Sequence, residues 1–189
     1  MLAAGRSTRF DGVKQLAPLG DRPLVRWAVD AALASGLRPV ITVIGPRGGP
    51  VAAVLPAGVD VVRARRARRG IAESLRALVR ALGPWRQVGA VCVGLGDQPG
   101  VGAEAYRRLA RAYDAGATLA VATYAGVRQN PVLIARSQWP RVDELRGDVG
   151  ARALMTEIDV TEVDCTDTGS PADIDTPADL ERVAREMES

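Results

Sequence analysis

The chain has 189 residues, 47% hydrophobic and 25% charged, which suits one soluble domain with a buried core. It has no histidine and two cysteines, Cys92 and Cys165, which excludes Ser-His-Asp or Cys-His catalysis, imidazole-bound zinc and a disulfide framework, and fits a reducing cytoplasm. Lys14 is the sole lysine against 24 arginines, and the net charge is +3.

In chain order, only Met1 and Leu2 precede the first motif, so no signal peptide is expected and the first strand is expected to be truncated. Leu24 to Ser35 carries apolar residues at helical spacing and stops at Gly36. Pro39 to Ile44 and Val59 to Val62 read as buried strands, Ile71 to Leu82 as a helix, and Ala90 to Val93 as a strand. Ala103 to Ala115 is a helix ending at Gly116, and Thr118 to Thr123 a strand. Beyond Tyr124 the alternation loosens: a strand at Val132 to Ala135, a helix at Val149 to Glu157, a strand at Val160 to Cys165 and a last helix at Pro177 to Met187. Strands alternating with helices imply βαβ units, a mostly parallel sheet and one domain over 1–189. Ligands of such sheets bind outside the carboxyl ends of the strands. The longest apolar stretch, Val88 to Leu95, is broken by glycine and too short to span a membrane.

The segment Leu2-Ala3-Ala4-Gly5-Arg6-Ser7-Thr8-Arg9-Phe10-Asp11-Gly12-Val13-Lys14-Gln15 carries the strongest local pattern. Gly5 and Gly12 allow a loop whose backbone N–H groups face anionic oxygens, and Arg9 and Lys14 add two cations. The glycine spacing and Gln15 after Lys14 rule out a Walker A loop, and a plain structural turn is the other reading. A lone lysine among so many arginines favours phosphate, since a compact ammonium fits where a planar guanidinium fork does not. Arg63, Arg65, Arg66, Arg68 and Arg69 cluster without aromatic residues. That argues against a nucleic-acid groove and leaves a solvated face or a local phosphate site.

Leu95-Gly96-Asp97-Gln98-Pro99 follows a strand, where an aspartate can hold Mg²⁺ against phosphates or simply cap a turn. Pro99 stands where a dinucleotide fingerprint needs its third glycine, which weakens a redox reading. In Asp173-Ile174-Asp175-Thr176-Pro177 the two aspartates share a side if the segment is extended, and Thr176 or Asp175 could cap the helix that Pro177 begins.

Taken in order, and with Pro18-Leu-Gly and Pro23-Leu, these motifs resemble the molybdenum cofactor nucleotidyltransferases, and within them the cytidylyltransferase branch. Ala4 stands where the guanylyltransferase branch has glycine, which favours CTP. The resemblance implies an α/β, Rossmann-like three-layer αβα nucleotidyltransferase fold, with CMP passing from CTP to the molybdopterin-molybdenum cofactor and pyrophosphate released. It implies Mg²⁺ on Asp97 and Asp175, with Lys14, Arg9 and Asp97 as the catalytic groups. The nucleotide would meet Leu2, Ala3, Ala4, Gly5, Arg6, Ser7, Arg9, Lys14, Gly70, Ser74 and Asp97. A phosphorylated pterin-type acceptor would meet Gln98, Asn130, Pro131 and Arg152, with a molybdoenzyme receiving the product. Gln129-Asn130-Pro131 departs from the Gly-His-Pro of that branch, which opens the identity of the acceptor. GTP, another phosphorylated acceptor, or a nucleotide-binding relative without transfer activity are the alternatives.

Overall fold

The computed structural model describes every residue except Arg6, Thr8, Asp11, Glu157, Ile158 and Ser189. In chain order its elements are β1 (Leu2–Ala3), β2 (Pro18–Leu19), β3 (Arg22–Pro23), α1 (Leu24–Ala34), β4 (Val40–Ile44), α2 (Gly49–Ala53), β5 (Val59–Arg63), α3 (Ile71–Leu82), β6 (Ala90–Val93) and α4 (Ala103–Asp114). They continue with β7 (Leu119–Tyr124), β8 (Val127–Ala135), α5 (Trp139–Glu144), β9 (Thr161–Asp164) and α6 (Pro177–Glu188). Short 3-10 turns cover Lys14–Leu16 and Ala151–Thr156, the latter where a longer helix is expected from the sequence; Glu157 at its end lies outside the described residues.

β5, β4 and β1 form a parallel ladder, and β6, β8, β7 and β9 a second, mixed one. Leu2 joins them, donating to the Gly94 carbonyl at 2.9 Å and accepting from the Gly96 N–H at 2.8 Å. The order is thus β5-β4-β1-β6-β8-β7-β9, with β8 running against its neighbours and the others parallel. β7 turns directly into β8 through Ala125 and Gly126, both at positive φ.

Because side chains alternate across a strand, each sheet face has its own apolar set. Ile41, Val43, Leu119, Val121, Val132 and Ile134 pack against Leu75, Leu78 and Leu82 of α3 and Val142 of α5. On the other face Ala3, Ile44, Ala122 and Tyr124 meet Val25, Ala28 and Val29 of α1 and Ala105 and Tyr106 of α4. These two layers over one sheet make the three-layer α/β/α sandwich, and each fully buried Leu, Ile or Val contributes about 1.5–3 kcal/mol. α6 docks separately, with Leu180, Val183 and Ala184 against Leu19, Leu24 and Ile174. Met1 extends the β1 ladder, its amino group donating to the Ile41 carbonyl at 2.6 Å. A cavity of about 680 Å³ opens beside it, between the starts of β4 and β6 and away from the motif-bearing loops. Among the described residues no helix is long and apolar enough to cross a membrane.

Candidate active site

Ser7, after β1, is tied to the turn Lys14–Leu16. Its Oγ accepts from the Lys14 N–H at 3.0 Å and donates to Gln15 Oε1 at 3.3 Å. Gln15, 3% exposed, lies under Gly5, and Lys14 itself is only 6% exposed. A lysine so enclosed needs counter-charge.

It finds two carboxylates. Lys14 Nζ donates to Asp97 Oδ2 at 2.7 Å and to Asp175 Oδ1 at 3.0 Å, and Arg9 Nη2 reaches the other oxygen of Asp175 at 2.8 Å. The four residues, read from three motifs as phosphate and metal ligands, therefore meet at one point. Burial works against the Lys14 ammonium, but the hydrogen bonds and charges of Asp97 and Asp175 outweigh it and raise its pKa. The bond from Lys14 holds the Asp175 carboxyl below the usual carboxylate range. Asp173 moves the other way, raised by partial burial and by the neighbouring Asp97 and Asp175 charges.

Local structure explains the aim of Asp175. Burial alternates along Asp173, Ile174 and Asp175: the fully buried Ile174 plugs the cluster of Leu19 and Leu24, while its acidic neighbours are more exposed. Thr176, not Asp175, caps α6. Asp179 Oδ2 accepts from the Thr176 N–H and Oγ1, both at 2.8 Å, and from the Asp175 N–H at 3.1 Å, while Thr176 Oγ1 accepts from the Asp179 N–H at 3.2 Å. The cap leaves the Asp175 carboxylate for Lys14 and Arg9.

Beside this cluster lies a cavity of about 460 Å³, lined by Ala3, Ala4, Gly5, Ser7, Gly12, Val13 and Gln15 on one wall. The opposite wall is the loop after β4, Gly45 to Gly48, and the Ala67–Arg68 turn after β5. Arg6, expected here, lies outside the described residues. Leu2 does not line the cavity: its side chain is 7% exposed in the core, and only its backbone joins the sheet. Gly70 and Ser74 do not line it either. At φ +120° Gly70 lies so close to Gly147 that a Cβ would overlap the Gly147 carbonyl, and Ser74 is 3% exposed on α3. Arg47 and Arg68 bring cations to that end: Arg68 belongs to the arginine cluster in which the sequence leaves a local phosphate site open, whereas Arg47 is not singled out, although Gly45-Pro-Arg-Gly-Gly directly after a strand is a visible signal.

On the other side, the β7–β8 register breaks between Val121 and Ala122, so that Asn130 and Pro131 form a bulge. Val132 pairs with Val93, which carries Asn130 past the end of β6 towards Asp97. Arg152 is held near it, its Nη2 donating to Gln129 Oε1 at 3.3 Å. Gln98 points elsewhere: it is 1% exposed and donates to the Pro171 carbonyl at 2.8 Å, so it offers an acceptor no surface.

Asp97 and Asp175 offer hard carboxylate oxygens around one cation, and no group of three or more metal-binding side chains stands among the described residues. Such a pair is too sparse for an all-protein cage. It suits a divalent ion that takes its remaining ligands from water and substrate phosphates.

A three-layer, mostly parallel sheet with a glycine-bearing loop, one enclosed lysine and two carboxylates at its carboxyl edge defines a nucleotidyltransferase-type domain. The chain belongs to the MobA-like NTP transferase domain family, whose model matches residues 1–163. It is similar to the crystal structure of Rv0371c from Mycobacterium tuberculosis H37Rv, with TM-score 0.84 and 31% identity over 97% of this chain and 94% of that one. Rv0371c has also been solved in complex with manganese, and that structure matches at TM-score 0.81 and 30% identity over 97% and 95% of the two chains. The bifunctional protein GlmU of Anaeromyxobacter sp. is 37% identical over 129 residues, which make up 65% of this chain and 26% of that protein. The chain thus spans about a quarter of the length of the curated relatives it matches.

Proposed function

We propose that this protein transfers CMP from CTP to a phosphorylated pterin acceptor, the molybdopterin-molybdenum cofactor, releasing pyrophosphate. The observation that carries the reading is the single lysine held between Asp97 and Asp175, its chain neighbours Val13 and Gln15 lining the adjacent cavity. Lys14 and Arg9 would neutralise the triphosphate, and the backbone around Gly5 and Ser7 would line its path. Asp97 and Asp175 would hold Mg²⁺, which when bound neutralises charge on the phosphates as they rearrange; the manganese complex of Rv0371c supports a divalent ion. An acceptor phosphate oxygen attacks the α-phosphorus, forming a new P–O bond. The bond from that phosphorus to the β-phosphate oxygen breaks, and pyrophosphate leaves with the electron pair. The nucleophile is already ionised near neutral pH, so no general base is required and the missing histidine costs nothing. Positioning and charge stabilisation supply the catalysis. Asn130 and Arg152 would face the acceptor, in a cytoplasmic setting that the two thiols suit, and a molybdoenzyme would receive the product.

The test is pyrophosphate release with Mg²⁺, each of the four nucleoside triphosphates in turn, and the pterin cofactor. Release with CTP alone supports the reading. Release only with GTP, or only with another phosphorylated acceptor, overturns its substrate assignment. No release with any pair overturns transfer itself.

A further inference from the structure

Asp97 and Asp175 come from the two ends of the sequence, and a feature outside the motifs sets their spacing. The segments 97–102 and 168–174 run antiparallel as a ribbon. The Gly102 N–H donates to the Thr168 carbonyl at 3.2 Å, the Ser170 N–H to the Gly100 carbonyl at 2.8 Å, and the Ile174 N–H to the Asp97 carbonyl at 2.9 Å, with Val101 bridged to Gly169. Contact is so close that a Cβ on Gly102 would overlap the Thr168 carbonyl. Between the last two of these bonds the backbone of 171–173 makes no ladder bond to the facing segment, and there Gln98 enters: its Nε2 donates to the Pro171 carbonyl at 2.8 Å. Its Oε1 is buried and has no partner among the described residues. Its side chain also hydrogen-bonds that of Asp173, so at a position 1% exposed the amide ties the ribbon at Pro171 and at Asp173, which an apolar side chain of similar size could not do.

We propose that Gln98 is a positioning residue, whose amide clamps the ribbon one residue beyond Asp97 and so fixes the distance between the two carboxylates. It touches neither substrate nor metal and acts through the Pro171–Asp175 segment, by the Pro171 carbonyl and the Asp173 side chain. The proposal rests on the reading of Asp97 and Asp175 as metal ligands under Proposed function, and it replaces the acceptor contact expected of Gln98.

The test uses Gln98→Met, which keeps the volume and removes the donor. Binding of Mn²⁺ with CTP is followed by the electron paramagnetic resonance signal of free Mn²⁺. Removal of an outer-shell partner of a metal site weakens binding by about ten-fold or more. That loss is expected here, with the KM for the acceptor and CTP binding without metal both unchanged. Equal Mn²⁺·CTP binding in variant and wild type overturns the proposal, as does a raised acceptor KM with metal binding intact. If Gln98→Met does not fold, Gln98→Asn, polar but too short to reach Pro171, is read by the same criteria. Failure of the wild type itself to bind Mn²⁺·CTP is a separate result: it removes the metal reading and this proposal together.

Discussion

Replacing Lys14 with methionine removes the one cation that, among the described residues, touches both carboxylates. Its two charge-assisted bonds, at 2.7 and 3.0 Å, belong to a class worth about 1.5–3 kcal/mol each. The Asp175 side chain is 39% exposed, so water screens its share, and the expected stability loss is about 1–3 kcal/mol in total. For a chain of this size that lowers Tm by about 2–4 °C per kcal/mol. The catalytic loss is larger. Removing a single donor aimed at developing charge costs about 3–4 kcal/mol, or roughly 10²–10³-fold in kcat. Lys14→Arg should lose nearly as much, because a guanidinium fork does not fit an enclosure built for a point charge. The pH dependence carries its own sign. Lys14 has a pKa raised above 10.5, so its stabilisation is complete below that value and fades as pH rises through the raised one. Asp175, lowered beneath 3.8, gives stabilisation that is complete above 3.8 and fades as pH falls through the lowered value. The stability gap between wild type and Lys14→Met, measured by urea unfolding, should therefore be flat through neutral pH and narrow at both extremes. Unchanged kcat in pyrophosphate release would mean that Lys14 does not meet the reacting phosphates, and a gap that does not narrow in strong alkali would mean that its ammonium does not bind the two carboxylates.

Three further expectations rest on separate observations. Ile174→Ala should cost about 2–5 kcal/mol in chemical denaturation, because Ile174 is fully buried between the two acids it aims; a loss below 1 kcal/mol contradicts that anchoring role. Gly70→Ala should lower Tm by several degrees, since a Cβ overlaps the Gly147 backbone and φ is +120°; wild-type stability would mean the two loops are not in contact. Glu104, held by Arg111 and Arg107 at 2.6 and 2.7 Å, should titrate at about 2 by carboxyl NMR and move back towards 4.5 in Arg111→Gln or at high salt. A midpoint of 4.5 in the wild type would mean those ion pairs do not persist in solution.

Much of the fold is legible because buried strands and amphipathic helices write their periods into the sequence. β4, β6 and α3 fall within a residue or so of their expected spans. The first half of β8 is not legible, since Val127, Arg128 and Gln129 are solvated, and Ala125-Gly126 lacks the usual Asn-Gly turn signature. Of the site, Lys14, Arg9, Asp97 and Asp175 are readable because each stands in a local motif. Their convergence on one ammonium is not, because it depends on contacts more than 80 residues apart in sequence. The Gln98 amide and the ribbon it closes escape for the same reason: backbone carbonyls carry no sequence signal. Ser74 shows the converse, a motif position that the fold turns into the core.

Whether Asp97 and Asp175 hold a divalent ion on a nucleoside triphosphate is read by titrating Mn²⁺ into wild type, Asp97→Asn and Asp175→Asn with CTP present and counting free Mn²⁺ by electron paramagnetic resonance. Tight binding is expected in the wild type only when CTP is present, since two carboxylates do not make a cage, with a loss of about ten-fold or more in each variant. Equal binding in all three proteins would mean that the two carboxylates do not hold the ion.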